Sequence, residues 1–198
     1  YHLQSADSGP IPKPYLMSPH ILVRRHTKHP MGRKLEFSKE KALMQAMESF
    51  WAQGYNDTSM RDLAQKLDLH LGSVYNALGD KEQVFEDSLR LYLQHHIAPR
   101  LVALSETPNA RAALEKEIDA YADESKPNSG ANGCFLINSL LNINSINPRI
   151  SAVVAEYVER KEKVLLAALE RAKQQGHIAV DKDTAALARF VFSVCSSM

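Results

Sequence analysis

TSMRDLAQKLDLHLGSVYNALGDK, residues 58–81, decides the fold. Met60, Leu63, Ala64 and Leu67 fall at i, i+3, i+4 and i+7, which predicts a short helix with one buried stripe, capped by Thr58 or Ser59. Asp68-Leu69-His70 leaves no room for a loop with structure of its own, and Leu71, Val74 and Leu78 then share the inner face of a second helix. His70, Ser73, Tyr75 and Asn76 fall on its outer face, all able to hydrogen-bond, and Gly72 lets the backbone come close to a phosphate. Gly79 ends that helix, and Asp80 with Gln83 three residues later predicts a capping box for a third, whose first turn carries Lys81 within reach of a phosphate. Two short helices at a sharp angle, followed by a capped third, are a shape suited to a DNA groove.

This run resembles the N-terminal domain of the TetR family of bacterial transcriptional regulators. The resemblance lies in Phe50-Trp51-Ala52-Gln53-Gly54-Tyr55, then Thr58-Ser59-Met60-Arg61-Asp62-Leu63-Ala64, then Leu71-Gly72-Ser73-Val74-Tyr75, then Asp80-Lys81-Glu82, in line and in order over roughly a quarter of the chain. Asp68 stands where the family usually has Gly, and His70 where it usually has Ser or Thr. The resemblance implies an all-α protein, AcrR-like, with a three-helix DNA-binding head over residues 35–81. A helical ligand-sensing and dimerisation body is implied over residues 82–198, short by about one helix because apolar Val191, Phe192 and Val194 still run where the chain stops.

Composition narrows the classes. With 198 residues, 44% of them hydrophobic, the chain can bury one substantial core or two small ones. The 24 basic and 23 acidic residues give no broad basic field, and residues 31–81 hold seven of each. DNA affinity is therefore expected from placed groups such as Lys81, Arg33, Lys34 and helix N-termini, with modest non-specific binding. Cys134 and Cys195 stand far apart without a C-x-x-C pair, which points to neither a disulfide framework nor a zinc site, and the cytoplasm is the expected compartment. No run of 18 apolar residues occurs, so no membrane partner is expected. Residues 1–34, with five of the nine prolines in the first 30, read as a disordered or appended basic arm, the rival reading being a minor-groove contact.

Beyond the head, helices are expected from Ser38 to Gly54, from Asp80 to about Ser105, and from Thr107-Pro108 to about Glu124. Others are expected from Cys134 to about Asn144, from Asn147-Pro148 to Gln175, and from Asp181 or Asp183 through Ser197, with a loop over 126–133. Exposed Phe190, Val191 and Val194 predict a homodimer.

The resemblance implies that Ser59, Gly72, Tyr75 and Lys81 contact phosphates. His70, Ser73 and Asn76 are best placed for base edges, and Leu71 for half-buried packing or a thymine methyl. Arg61 reads as an ion-pair partner of Asp57 or Asp62, the rival reading being a base contact. For a small-molecule effector, Phe85, Tyr92, His96, Phe135, Asn138, Asn142 and Tyr157 are candidates, each equally readable as core or helix-end structure. The function expected is a repressor released from a palindromic operator by a small molecule. One alternative is a repressor that senses oxidants or electrophiles through Cys134, at a helix N-terminus after Gly133, although a buried inert thiol fits the same position. The other is a helical adaptor that binds only protein. No catalytic residue, cofactor or metal is expected: His95 and His96 point about 100° apart on a helix, and no G-x-S-x-G, G-x-x-x-x-G-K or H-E-x-x-H occurs.

Overall fold

The computed structural model describes residues 38–124, 133–142 and 148–197. The arm at 1–34, most of the expected loop and Asn147 lie outside the described residues. In the head, α1 is Lys39–Gln53, α2 is Met60–Lys66 and α3 is Leu71–Leu78. α4, Lys81–Tyr92, leaves the head, a single π-turn follows over Leu93–Ile97, and α5 (Ala98–Glu106) and α6 (Ala110–Glu124) begin the body. α7 (Phe135–Asn142), α8 (Pro148–Gln174) and α9 (Thr184–Ser197) complete it. No strand occurs among the described residues.

Each helix of the head starts and stops for a local reason. Ser59 rather than Thr58 caps α2: its hydroxyl accepts from the Asp62 amide at 3.1 Å while its own amide donates to the Asp62 carboxylate at 2.8 Å. Thr58 is buried and turns its hydroxyl back to the Gly54 carbonyl at 2.8 Å. α2 ends in a Schellman pair, with the Asp68 amide on the Gln65 carbonyl at 3.2 Å and the Leu69 amide on Ala64 at 3.0 Å. That motif needs a left-handed residue, and Asp68 supplies it at φ 53°. Asp80 caps α4 through the Gln83 amide at 2.8 Å, but the reciprocal half of the expected box is not made, because the Gln83 side chain donates to Asp87 at 3.0 Å. Gly79, at φ 94°, also has no room for a Cβ, which would sit 3.1 Å from Gln83 Cγ.

The apolar stripes meet as the sequence predicts. Ala46, Phe50, Leu63, Val74, Leu78, Val84 and Phe85 are all buried in one core. Because Val84 and Phe85 lie on α4, the first turns of that helix belong to the head's packing while its later turns pack against α8. α4 therefore cannot rotate without disturbing the core beneath α3.

The expected continuous helix from Asp80 to Ser105 is interrupted. Pro99 has no amide hydrogen, and its ring collides with the carbonyl four residues back in a regular helix. The π-turn at Leu93–Ile97 takes up that misfit.

In the body, α8 is the central rod, with Ile150, Val153, Val154, Tyr157, Val164, Leu165, Ala168 and Leu169 on its buried stripe against α5, α6 and α9. Its last turn fastens its neighbours: Gln175 accepts from the Ala110 amide at 3.0 Å and donates to the Pro108 carbonyl at 2.7 Å, and Arg171 donates to the Leu104 carbonyl at 2.7 Å. Asp183 caps α9 through the Ala186 amide at 3.0 Å.

The strained turn residue gives a direct check. A β-branched side chain is far more costly than Asp in the left-handed region, so Asp68→Val is expected to lower unfolding stability by about 1–2 kcal/mol, whereas Asp68→Gly leaves it equal or higher. Urea unfolding of the three proteins measures this.

Candidate nucleic-acid interface

Burial of Val74 and Leu78 fixes the rotation of α3, and the opposite side is what remains to solvent. His70, Gly72, Ser73, Tyr75 and Asn76 are exposed, while Leu71 is half-buried against the core. Tyr75 is 46% exposed, unusual for so large an aromatic residue, and its hydroxyl has no partner among the described residues. A Cβ added to Gly72 would meet nothing within 4 Å, so nothing in the protein's own packing requires glycine there. His70 begins α3 through its backbone, and its side chain makes no cap, which leaves the ring available.

The flanking groups frame that face. Ser59 is exposed, and its hydroxyl accepts from the Asp62 amide at the start of α2. The Asp62 carboxylate, which accepts from the Ser59 amide, has its pKa lowered chiefly by its contacts with the Ser59 side chain and backbone. The expected Arg61 ion pair with Asp57 or Asp62 is not formed among the described residues, where Arg61 is exposed. Its exposure is compatible with the rival reading of Arg61 as a DNA contact. Lys81 is more engaged than expected, with its ammonium 4.3 Å from the Tyr55 ring centroid and 3.4 Å from the Asn56 carbonyl. Partial burial lowers its pKa, opposed by Asp57 and Asp62.

The effector candidates divide between two places and a helix end. Phe85, Tyr92 and Phe135 are buried in an aromatic cluster with Phe50 and Trp51, at centroid distances of 4.9 Å for Phe50–Phe85, 5.1 Å for Trp51–Tyr92 and 5.7 Å for Phe85–Phe135. His96 is exposed at the cluster's edge, stacked on Tyr92 at 5.0 Å. Asn138 lies on α7 beside it, half-buried, while the Asn142 side chain lies outside the described ones. Cys134 is half-buried just before α7.

Tyr157 belongs to a different centre, deep in the body. Lys161, one turn further along α8, is only 1% exposed and donates to the Tyr121 hydroxyl. Its ammonium lies 4.0 Å from the Tyr121 ring centroid and 5.4 Å from that of Phe192. Arg100 stacks on Tyr121 at 4.1 Å and pairs with the buried Glu117 at 3.1 Å. Burial drives the Lys161 amine below the ordinary lysine range, with Glu117 opposing. The same burial pushes the Tyr121 and Tyr157 hydroxyls well above the ordinary tyrosine value and raises the Cys195 thiol. The sequence reading missed Lys161, although its spacing four residues from both Tyr157 and Leu165 sets it on the buried stripe.

Comparison with known proteins agrees with this geometry. The profile of bacterial regulatory proteins of the tetR family matches residues 42–87, and that of the tetracyclin repressor-like C-terminal domain matches residues 110–198. The uncharacterized HTH-type transcriptional regulator YezE of Bacillus subtilis (strain 168) is 31% identical over 166 residues, spanning 81% of this chain and 84% of that protein. The HTH-type transcriptional repressor ComR of Escherichia coli (strain K12) is 26% identical, over 84% of this chain and 80% of that protein. A cysteine mutant of the TetR family transcriptional regulator CifR, solved with 26-bp double-strand operator DNA, superposes with a TM-score of 0.69 at 25% identity, covering 84% of this chain and 86% of that one.

The buried amine has a pH signature. A lysine whose folded pKa is depressed binds its proton more readily when unfolded, so its contribution to stability falls as pH drops below the unfolded value and recovers as pH rises toward it. Lys161→Met, of similar length without the charge, is expected to be more stable than the wild type by about 1–3 kcal/mol near neutral pH. That advantage shrinks as pH approaches ~10. Urea midpoints of both proteins across pH measure it.

Proposed function

The chain belongs to the TetR family of bacterial transcriptional regulators, DNA-binding proteins and not enzymes, and on that premise we propose that it is a homodimeric repressor which a small molecule releases from a palindromic operator. The reading is carried by the outer face of α3, where Tyr75 stands exposed between Ser73 and Asn76 while Val74 and Leu78 anchor the helix from behind. Among the alternatives, the protein-only adaptor gives way to this membership.

In the proposed complex two α3 helices enter successive major grooves about 34 Å apart. His70, Ser73 and Asn76 meet base edges, Leu71 flanks a thymine methyl, and Ser59, Tyr75, Lys81 and the Gly72 backbone hold phosphates. Arg61, exposed on α2, adds a phosphate contact. Seven basic and seven acidic residues over 31–81 leave little long-range attraction, so selectivity rests on these placed contacts. Residues 35–81 act as the reading head and 82–198 as the sensing and pairing body, with α4 shared between them. The body offers Phe190, 66% exposed on α9, as an apolar contact for a second copy, whereas Val191 and Val194, expected to be exposed with it, are half-buried, Val191 against the core. No helix among the described residues is long and apolar enough to cross a membrane, in keeping with action on DNA.

Release requires only that an effector favour a dimer whose heads no longer match the grooves. A differential affinity of about 1–3 kcal/mol changes operator affinity roughly five- to 150-fold. The effector would bind near the aromatic cluster of Phe85, Tyr92, His96, Phe135 and Asn138 or near Tyr157.

Gly72 separates fold from function. Because a Cβ there meets nothing, Gly72→Ala should raise stability by roughly 0.5–1 kcal/mol. It should nonetheless weaken binding, by about tenfold, to the duplex that the protein selects from a random library, since the methyl group intrudes on the phosphate backbone. Tyr75→Phe combined with Lys81→Ala should weaken binding and lower the salt dependence by about one ion. Fluorescence anisotropy on the selected duplex reads both, and unchanged affinity in all of these variants would refute the assigned contacts.

A further inference from the structure

A cleft of about 370 Å³ opens where the head meets the body, between the last turn of α1 with Gly54 and Tyr55 on one side and α7 on the other. Its volume falls within the range of small-molecule sites. The walls combine the aromatic rings of Trp51, Tyr55 and Phe135 with the polar side chains of Gln53, Asn138 and Ser139, and none of the lining residues among the described ones carries a charge. The cleft also lies at the C-terminal end of α1, whose last turn holds no basic residue, so the partial negative charge of that helix end is not offset from within its own last turn. An occupant with N–H or O–H donors gains from this, and a carboxylate does not.

Two contacts tie the cleft to both halves of the protein. On the body side, the Trp51 indole N–H donates to the Gly133 carbonyl at 2.9 Å, next to the start of α7. On the head side, the Tyr55 ring carries the Lys81 ammonium at 4.3 Å and packs edge-on against Phe85 at 4.8 Å. Tyr55 is thus at once a wall of the cleft and the seat of a lysine assigned above to phosphate.

We propose that this head–body cleft is an effector site for a small, uncharged aromatic molecule bearing hydrogen-bond donors, and that its occupancy acts on DNA binding through Tyr55 and Lys81. The inference rests on the reading of the chain as a ligand-released repressor and gives that release a place and a ligand chemistry. An occupant that displaces Tyr55 moves Lys81 from its seat, so a signal passes to the DNA face over one side-chain contact.

Trp51 is the sole tryptophan, so its emission reports the cleft directly. The test titrates the full chain with benzamide, neutral and a donor, and with benzoate, its anionic counterpart of the same shape. Benzamide is expected to shift or quench Trp51 emission saturably, with a Kd of ~1 mM or tighter, and to weaken binding to the library-selected duplex about fivefold or more; benzoate does neither. Asn138→Leu removes a polar wall and Ala52→Phe, at an exposed position, fills the space. Either, shown folded by its far-UV spectrum and melting, abolishes the benzamide response. Benzoate matching benzamide, an absent saturable response, or a response unchanged in the folded variants would overturn the cleft assignment while leaving DNA binding by the untreated protein intact. Failure of the untreated protein to bind any selected duplex would instead overturn the repressor reading, and a saturable benzamide signal without an effect on DNA affinity would refute the coupling through Tyr55.

Discussion

The edge-on contact of Phe50 with Phe85, 4.9 Å between ring centroids, holds the rest of the structure in place. It joins the first helix of the head to the helix that leaves it, and the same two rings lie under Tyr55 and beside Phe135. Aromatic pairs of this geometry contribute about 0.5–1.5 kcal/mol each beyond their area, and here they form one continuous packing from head to body. The orientation of α3 therefore depends on α4, and that of α4 on α7 and α8. A regulator that turns ligand binding into DNA release needs this kind of rigid joint, because a flexible one would dissipate a difference of a few kcal/mol.

Much of the head was legible in the residues themselves. The stripe Met60, Leu63, Ala64 and the anchors Val74 and Leu78 follow from helical spacing, and burial of these positions fixes which side of α3 faces outward. Caps and turns were partly legible, since Ser and Asp three residues apart suggest a box. Local sequence could not tell that Gln83 prefers Asp87 to its own cap, or that Arg61 forms no ion pair among the described residues. The break at Leu93–Ile97 lies just before Pro99, whose ring a regular helix cannot accommodate, while the apolar spacing by itself continues across it.

The body was less legible, for a physical reason. Spacing places Phe85, Tyr92, Phe135 and Tyr157 on inner faces, but which inner faces meet is a matter of tertiary approach, and it separates Tyr157 from the other three. Lys161 shows the limit most clearly. Its place on the stripe follows from arithmetic, yet a lysine there is read as an edge residue because burial of an amine is costly. The structure buries it among Tyr121, Tyr157 and Phe192 beside the Arg100–Glu117 pair.

All of this bears on DNA only if the outer face of α3 lies in the wider groove of a duplex, presented twice by a two-fold pair. Guanine N7 lies in that groove, so dimethyl sulfate methylation interference on the library-selected duplex tests the claim at its centre. Two patches of interference, centred about 10–10.5 base pairs apart or a multiple of that distance, are the predicted result. Interference confined to a single patch, or binding indifferent to N7 methylation, would contradict it.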